Sequence, residues 1–180
     1  MSQGTTVYRF QLEISDVDRG VYETVDLRLA KHASESNAFL LSRLIAYALN
    51  LSDGLAFSPK GLGDPDIPCI SSEDPRGGKN LWIEIGNPSA ARLHKASKAA
   101  RKVRVYTYKS PEALVRELQG EKIHHLDQIE LYYFKSEFLE ELEGALDRDN
   151  SWTLLRDQES LAVHIGDHII QGELLSFPLL

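Results

Sequence analysis

Asp66, Glu84 and Lys95 are the residues of this sequence whose types and order could do chemistry. Asp66 stands in Pro65-Asp66, eighteen positions before Glu84, and Glu84 lies one strand ahead of the basic helix that carries Lys95. Metal-dependent phosphodiester cleavage uses such a set, with hard carboxylate oxygens for Mg²⁺ and a cation near the attacking water or the developing charge. The expectation is that Asp66 and Glu84 hold magnesium and that Lys95 contacts the phosphate or the water. Glu84 is flanked by Trp82, Ile83 and Ile85, and a carboxylate buried among such neighbours is costly unless paired or metal-bound. It reads equally well as an acid that alternates outward or pairs with a helix lysine. Asp66, in Asp64-Pro65-Asp66, has a second reading as the maker of an Asx-turn.

A basic segment follows. Between Glu84 and Glu112 there is no acidic residue, while Arg92, Lys95, Lys98, Arg101, Lys102, Arg104 and Lys109 are all basic. At about 100° per residue, Leu93, Ala96, Ala100 and Val103 form one apolar stripe, and Lys95, Lys98, Arg101 and Lys102 face away from it. These four are the candidate phosphate or nucleic-acid contacts, on a basic helix spanning 92–104. The alternatives are a solvated face balancing the acidic segment Glu137–Glu143 and a docking face for an acidic protein. No aromatic residue is interleaved with these cations, so a platform for stacking single strands is unsupported.

The elements that must position these residues are legible from periodicity. Tyr8, Phe10, Leu12 and Ile14 alternate with polar residues, as do Val25, Leu27 and Leu29, which predicts a β-hairpin turning at Asp16–Gly20. Ser34 is placed to cap a helix with Leu40, Leu41, Leu44, Ile45 and Ala48 on one face, ending at Ser52-Asp53-Gly54. Residues 58–78 are rich in Pro, Gly, Asp and Ser and read as turns around a short strand near Cys69-Ile70. The rest predicts strand Leu81–Ile85, helix Ser89–Lys102, strand Val103–Tyr108, helix Pro111–Leu118 capped by Ser110, strand Ile129–Phe134, and helix Glu137–Leu146 capped by Ser136. Strands Trp152–Arg156, Leu161–Ile165 and His168–Leu174 close the chain. The expected fold class is α/β (α+β), one mixed central sheet flanked by helices, with a β-hairpin first and a β-rich C-terminus, in a single domain covering 1–180.

Composition bounds the function. The chain has 180 residues, 42% of them apolar, enough for a sizeable core, and a net charge of −7, so any phosphate contact must be a local patch. No apolar run approaches the roughly 18 residues of a membrane helix, and the first residues do not resemble a secretory signal, so a cytoplasmic protein is expected. The single cysteine, Cys69, excludes an intramolecular disulfide and a cysteine-built zinc site, and it reads as a buried thiol. His164 and His168 have the spacing of a zinc pair, but Gly166-Asp167 between them makes a turn. His124-His125 reads as surface, His32 and His94 lack a metal spacing, and Gly61-Leu62-Gly63 lacks the third glycine of a dinucleotide loop.

Arg28 to Ser36 (RLAKHASES), Leu81 to Gly86 (LWIEIG), Leu93 to Ala96 (LHKA) and Val105-Tyr106-Thr107-Tyr108 resemble the corresponding segments of the YaeQ family, small cytoplasmic bacterial proteins. The resemblance runs from about Thr6 to the final strands. It implies the restriction-endonuclease-like PD-(D/E)xK fold. That superfamily sets a glutamate on the first core helix, an aspartate at a strand start, and an acid two residues before a lysine on the next strand. Glu35, Asp66 and Glu84 fall at the first three positions, although an acid at a helix start such as Glu35 also suits the helix dipole. The fourth departs, since two beyond Glu84 stands Gly86; Lys95 is the candidate for a migrated lysine, with Lys98 one turn on. A glycine there equally fits a fold that has lost catalysis and kept a binding or regulatory surface.

Overall fold

The structure, a computed structural model, describes residues 4–58, 64 and 66–180. The chain runs β1 (Thr5–Asp16), β2 (Val21–His32), α1 (Asn37–Leu49), β3 (Ala56–Phe57), β4 (Ile70–Glu73), β5 (Lys79–Ile85), α2 (Ala90–Ala99), β6 (Ala100–Thr107), α3 (Pro111–Leu118), β7 (Ile129–Tyr133), α4 (Ser136–Gly144), β8 (Asp149–Asp157), β9 (Ser160–Ile165), β10 (His168–Glu173) and β11 (Leu175–Phe177). A 3-10 turn at Leu126–Gln128 precedes β7. The loop glycines Gly61 and Gly63 lie outside the described residues. No helix among the described residues is long and apolar enough to cross a membrane.

These elements form two mixed sheets, ordered β10-β9-β8-β1-β2 and β11-β7-β6-β5-β4-β3, where the sequence led us to expect one. They belong to two compact units, Met1–Leu49 with Phe134–Leu174, and Asn50–Tyr133 with Leu175–Leu180. The second sheet escapes a local reading because β1 pairs antiparallel with its hairpin partner β2 on one edge and, on the other, parallel with β8, about 140 residues away in sequence.

In the first unit, the period-2 pattern buries Phe10, Leu12 and Ile14 on one face of β1. Asp16, 1% exposed, joins the hairpin turn to β8 through Arg19 and Arg156. The predicted apolar face of α1 is buried at Leu40, Leu41, Leu44, Ile45 and Ala48. Its N-terminal hydroxyl is Ser36, which accepts from the Phe39 N–H at 3.0 Å, while Ser34 pairs with the His32 ring. The start is therefore later than expected, and Glu35 precedes the helix. Gly172 in β10 has no side chain because the Phe138 ring of α4 occupies that space. α4 starts at Ser136 itself and ends at Gly144, two residues short of the expected end.

In the second unit, α2 and α3 cover one face of the six-stranded sheet. Leu93, Ala96, Leu114 and Leu118 pack there with Trp82, Val103, Val105, Ile129 and Leu131. Ser89 and Ser110 cap these helices by accepting the N–H groups of Arg92 and Ala113, and Pro111 opens α3 as predicted. The helix expected to reach Lys102 stops at Ala99. Ala100 already pairs with Lys79, and from there the backbone follows β5 in parallel register as β6. The β-branched Val103 and Val105 favour that strand.

Candidate functional site

Strand alternation decides what surrounds Glu84. Trp82 and Glu84 share the helix-covered face of β5, beside Val103 and Val105, while Leu81, Ile83 and Ile85 take the other. Glu84 is 3% exposed, and both its oxygens are occupied: Oε1 accepts the Trp82 indole N–H at 2.5 Å and Oε2 faces Arg92 Nε at 2.8 Å. Arg92 also donates from Nη2 to the Ile67 carbonyl at 2.9 Å, tying the loop ahead of β4 to β5. Burial works against the Arg92 charge, but the adjacent Glu84 carboxylate overrides it and raises the guanidinium pKa above its ordinary value.

Asp66 pairs with Lys95 in an exposed contact. The Asx-turn expected at Asp66 belongs instead to Asp64, whose Oδ1 accepts the Asp66 N–H at 2.9 Å, leaving the Asp66 carboxylate for the lysine. The structure thus joins Asp66 to Lys95 and Glu84 to Arg92, with Arg92 the partner that spacing did not single out. Glu35 lies in the other unit with its side chain 8% exposed, and its Oε2 sits 4.0 Å from Arg43 Nη2. That oxygen has no hydrogen bond.

This donor set does not fit a hard divalent cation. Such an ion needs carboxylate lone pairs facing open space, whereas those of Glu84 are aimed at N–H groups and Asp66 is neutralised by an ammonium. Among the described residues, no group of three or more His, Cys, Asp or Glu stands close enough to hold a metal ion. Gly86 also has a backbone reason to be glycine. It lies at φ +88° while donating to the Tyr106 carbonyl at 2.8 Å, a conformation that disfavours lysine.

The YaeQ protein family model matches residues 1–174. The chain belongs to the YaeQ family. It is 30% identical to YaeQ of Escherichia coli (strain K12) over 149 residues, 82% of each chain, and 29% identical to that of Salmonella typhi over 168 residues, 93% of this chain and 91% of the other. Crystal structures of YaeQ proteins from Pseudomonas syringae and Xanthomonas axonopodis pv. citri superpose with TM-scores of 0.84 and 0.86, each at 27% identity. The first alignment covers 97% of this chain and 96% of the other, the second 96% and 98%.

In this YaeQ-family chain the expected four-cation face is broken up by the end of α2. Arg101 and Lys102 are consecutive strand residues and point to opposite faces of the sheet, so Lys102 is turned away from α2. Arg101 is on the α2 side and pairs with Asp74. The Arg76 backbone N–H, together with Arg101, holds the Asp74 carboxyl below its ordinary pKa despite the opposing effect of desolvation. Arg104 is engaged by Glu130 and Asn50, each at 2.5 Å. On α2 itself, exposed Lys98 makes no ion pair with any described residue.

A further cluster lies beside Lys98. The His124 backbone N–H donates to His94 Nδ1 at 3.1 Å, the His94 and His124 rings are 6.4 Å apart, and the His124 and His125 rings 4.0 Å. Partial desolvation, then repulsion from His125, Lys98 and His94, depresses the His124 pKa. No local motif predicts this grouping, because His94 and His124 are separated by a helix end, a strand and α3. The only available signal was that His94 and Lys98 are one turn apart on α2.

Proposed function

We propose that this protein is a nucleic-acid-binding module that contacts phosphates without metal-dependent cleavage, a restriction-endonuclease-like domain in which the acid positions serve structure. The observation that carries this reading is the division of charge along α2: Glu84 and Asp66 are paired with Arg92 and Lys95, while Lys98 has no acid among the described residues. Support for the nuclease-like frame comes from Glu84 inside the parallel pair β5–β6, Asp66 ahead of β4, and α2 linking β5 to β6. Lys98 projects beside Lys95 and Arg101, each about half exposed, so a phosphate chain could follow this flank and compete for their acids. With so few contacts and an acidic protein overall, binding should fall in the non-specific range, a Kd of roughly 10⁻⁴ to 10⁻⁶ M, and be strongly salt-dependent.

The test is fluorescence anisotropy with single- and double-stranded DNA and RNA at low and moderate salt, in EDTA and then in Mg²⁺, for wild type, Lys98→Gln and Glu84→Ala. Salt-sensitive binding in EDTA that weakens in Lys98→Gln supports the reading. Magnesium-dependent cleavage lost in Glu84→Ala replaces it with a working phosphodiesterase in which Asp66 and Glu84 hold the ion after their cations swing aside. Absence of binding at the lowest salt sinks both.

A further inference from the structure

From the cluster beside Lys98, we infer that His94, His124 and His125 together with Lys98 form an oxyanion site for a phosphate group, one that tightens as His124 takes up a proton. This rests on the nucleic-acid reading for the source of the phosphate. α2 supplies His94 and Lys98 one turn apart, and the segment after α3 brings two imidazoles to them, with ring separations of 6.4 Å for His94–His124 and 4.0 Å for His124–His125. His125 is held at φ +46°, a left-handed conformation uncommon for a residue with a β-carbon.

The donor chemistry selects an anion. His94 Nδ1 is an acceptor for the His124 N–H, so its own proton resides on Nε2, leaving that N–H as a donor. Lys98 is donor-only, and each further imidazole gains a second N–H and a positive charge on protonation. A cation is the wrong guest beside an ammonium, whereas a phosphate offers acceptor oxygens and charge to match.

The groups that act on His124 are His125 from its own segment and His94 and Lys98 from α2, all of one sign. Glu121, Lys122 and Asp127 flank the segment in sequence and are exposed. Desolvation and like charge keep His124 neutral near pH 7 in the free protein. An arriving phosphate reverses the sign of that environment, raises the imidazole pKa, and draws in a proton.

The experiment measures oligonucleotide affinity by anisotropy at pH 8.0 and pH 6.0 at constant ionic strength. Proton uptake is measured by titration calorimetry in two buffers of different ionisation heat, for wild type, Lys98→Gln and the double variant His124→Gln/His125→Gln. Each proton taken up steepens affinity by up to about tenfold per pH unit. The expected result is uptake of about half a proton or more near pH 6.5 in wild type, lost in the double variant. The two proteins share every titrating group except His124 and His125, so equal pH dependence in the two overturns the imidazole site while leaving nucleic-acid binding intact. If no oligonucleotide binds at either pH, the nucleic-acid reading falls and inorganic phosphate decides the site. Saturable ¹⁵N shifts of the His124 and His125 rings that weaken in Lys98→Gln uphold it for a free phosphate, and unmoved rings overturn it.

Discussion

Along the Arg92 and Lys95 flank of α2 each acid meets a cation, whereas along the His94 and Lys98 flank a cation meets imidazoles and no acid. The first arrangement is closed. Glu84 is 3% exposed with both oxygens occupied, and Arg92 spends its donors on Glu84 and the Ile67 carbonyl. The second is open, because its nitrogen donors and latent charges have no internal counterion among the described residues. The two flanks share one ten-residue helix. Clustered ionisable residues therefore carry different meanings according to whether their charges cancel internally, and only uncancelled charge meets a ligand without first displacing an acid.

The largest test of the closed flank is Arg92→Ala, which leaves the Glu84 carboxylate buried without its cation. It should cost about 3 kcal/mol of stability in urea unfolding. A cost below about 1 kcal/mol would mean that solvent reaches Glu84 and that the flank is more open than its burial implies. Next comes Gly86→Lys, which sets a lysine two residues after Glu84 but forces a β-carbon into positive φ. It should destabilise by about 1 kcal/mol and yield no magnesium-dependent cleavage. Appearance of cleavage would erase the distinction between the flanks.

On the open flank, Lys98→Gln should reduce the slope of log affinity against log salt by about 0.9 for duplex DNA, the loss of one phosphate contact. Lys102→Gln, on the opposite face of the sheet, should leave that slope unchanged. Equal effects would return Lys102 to the surface from which strand alternation removes it.

The pH dependences are smaller and differ in range. Asp74, with its pKa depressed by the Arg76 N–H and Arg101, adds stability that is present above the unfolded value near pH 4 and is lost as pH falls through the folded value. Asp74→Asn should therefore lower Tm at pH 7 and approach the wild-type Tm in acid. His124 is a base with a depressed pKa, so the unfolded chain binds its proton first. Wild-type stability should fall slightly as pH drops from about 6.5 towards the folded value, and His124→Gln should remove that decline. Thermal melts from pH 8 to pH 5 separate the two.

Much of the fold was legible, because a strand or amphipathic helix advertises its period locally. The hairpin, the buried face of α1, the Ser110–Pro111 start of α3 and the apolar run around Glu84 were all readable in this way. The end of α2 was not, since Ala99 and Ala100 suit a helix and only pairing of Ala100 with Lys79 makes the second a strand residue. That switch is why Arg101 and Lys102, expected on one helix face, separate. Of the candidate site, the residues Asp66, Glu84 and Lys95 were legible by type and order, but the Asp66–Lys95 pairing was not, since the sequence set Asp66 beside Glu84 and Lys95 on a phosphate or water. Nor was Arg92 as the partner of Glu84, because the choice among neighbouring cations depends on side-chain reach in three dimensions.

The sequence by itself determined the family, through segments such as LWIEIG and LHKA, and the local periods of most elements, since both are properties of neighbouring residues. Only the tertiary structure decided that there are two sheets and not one, and that both Glu84 oxygens are engaged. It also assembled a triad of imidazoles around Lys98 from His94 and the distant pair His124-His125. Strand partners and charge partners are chosen across long sequence separations, where burial and geometry select among candidates that composition and spacing leave equivalent.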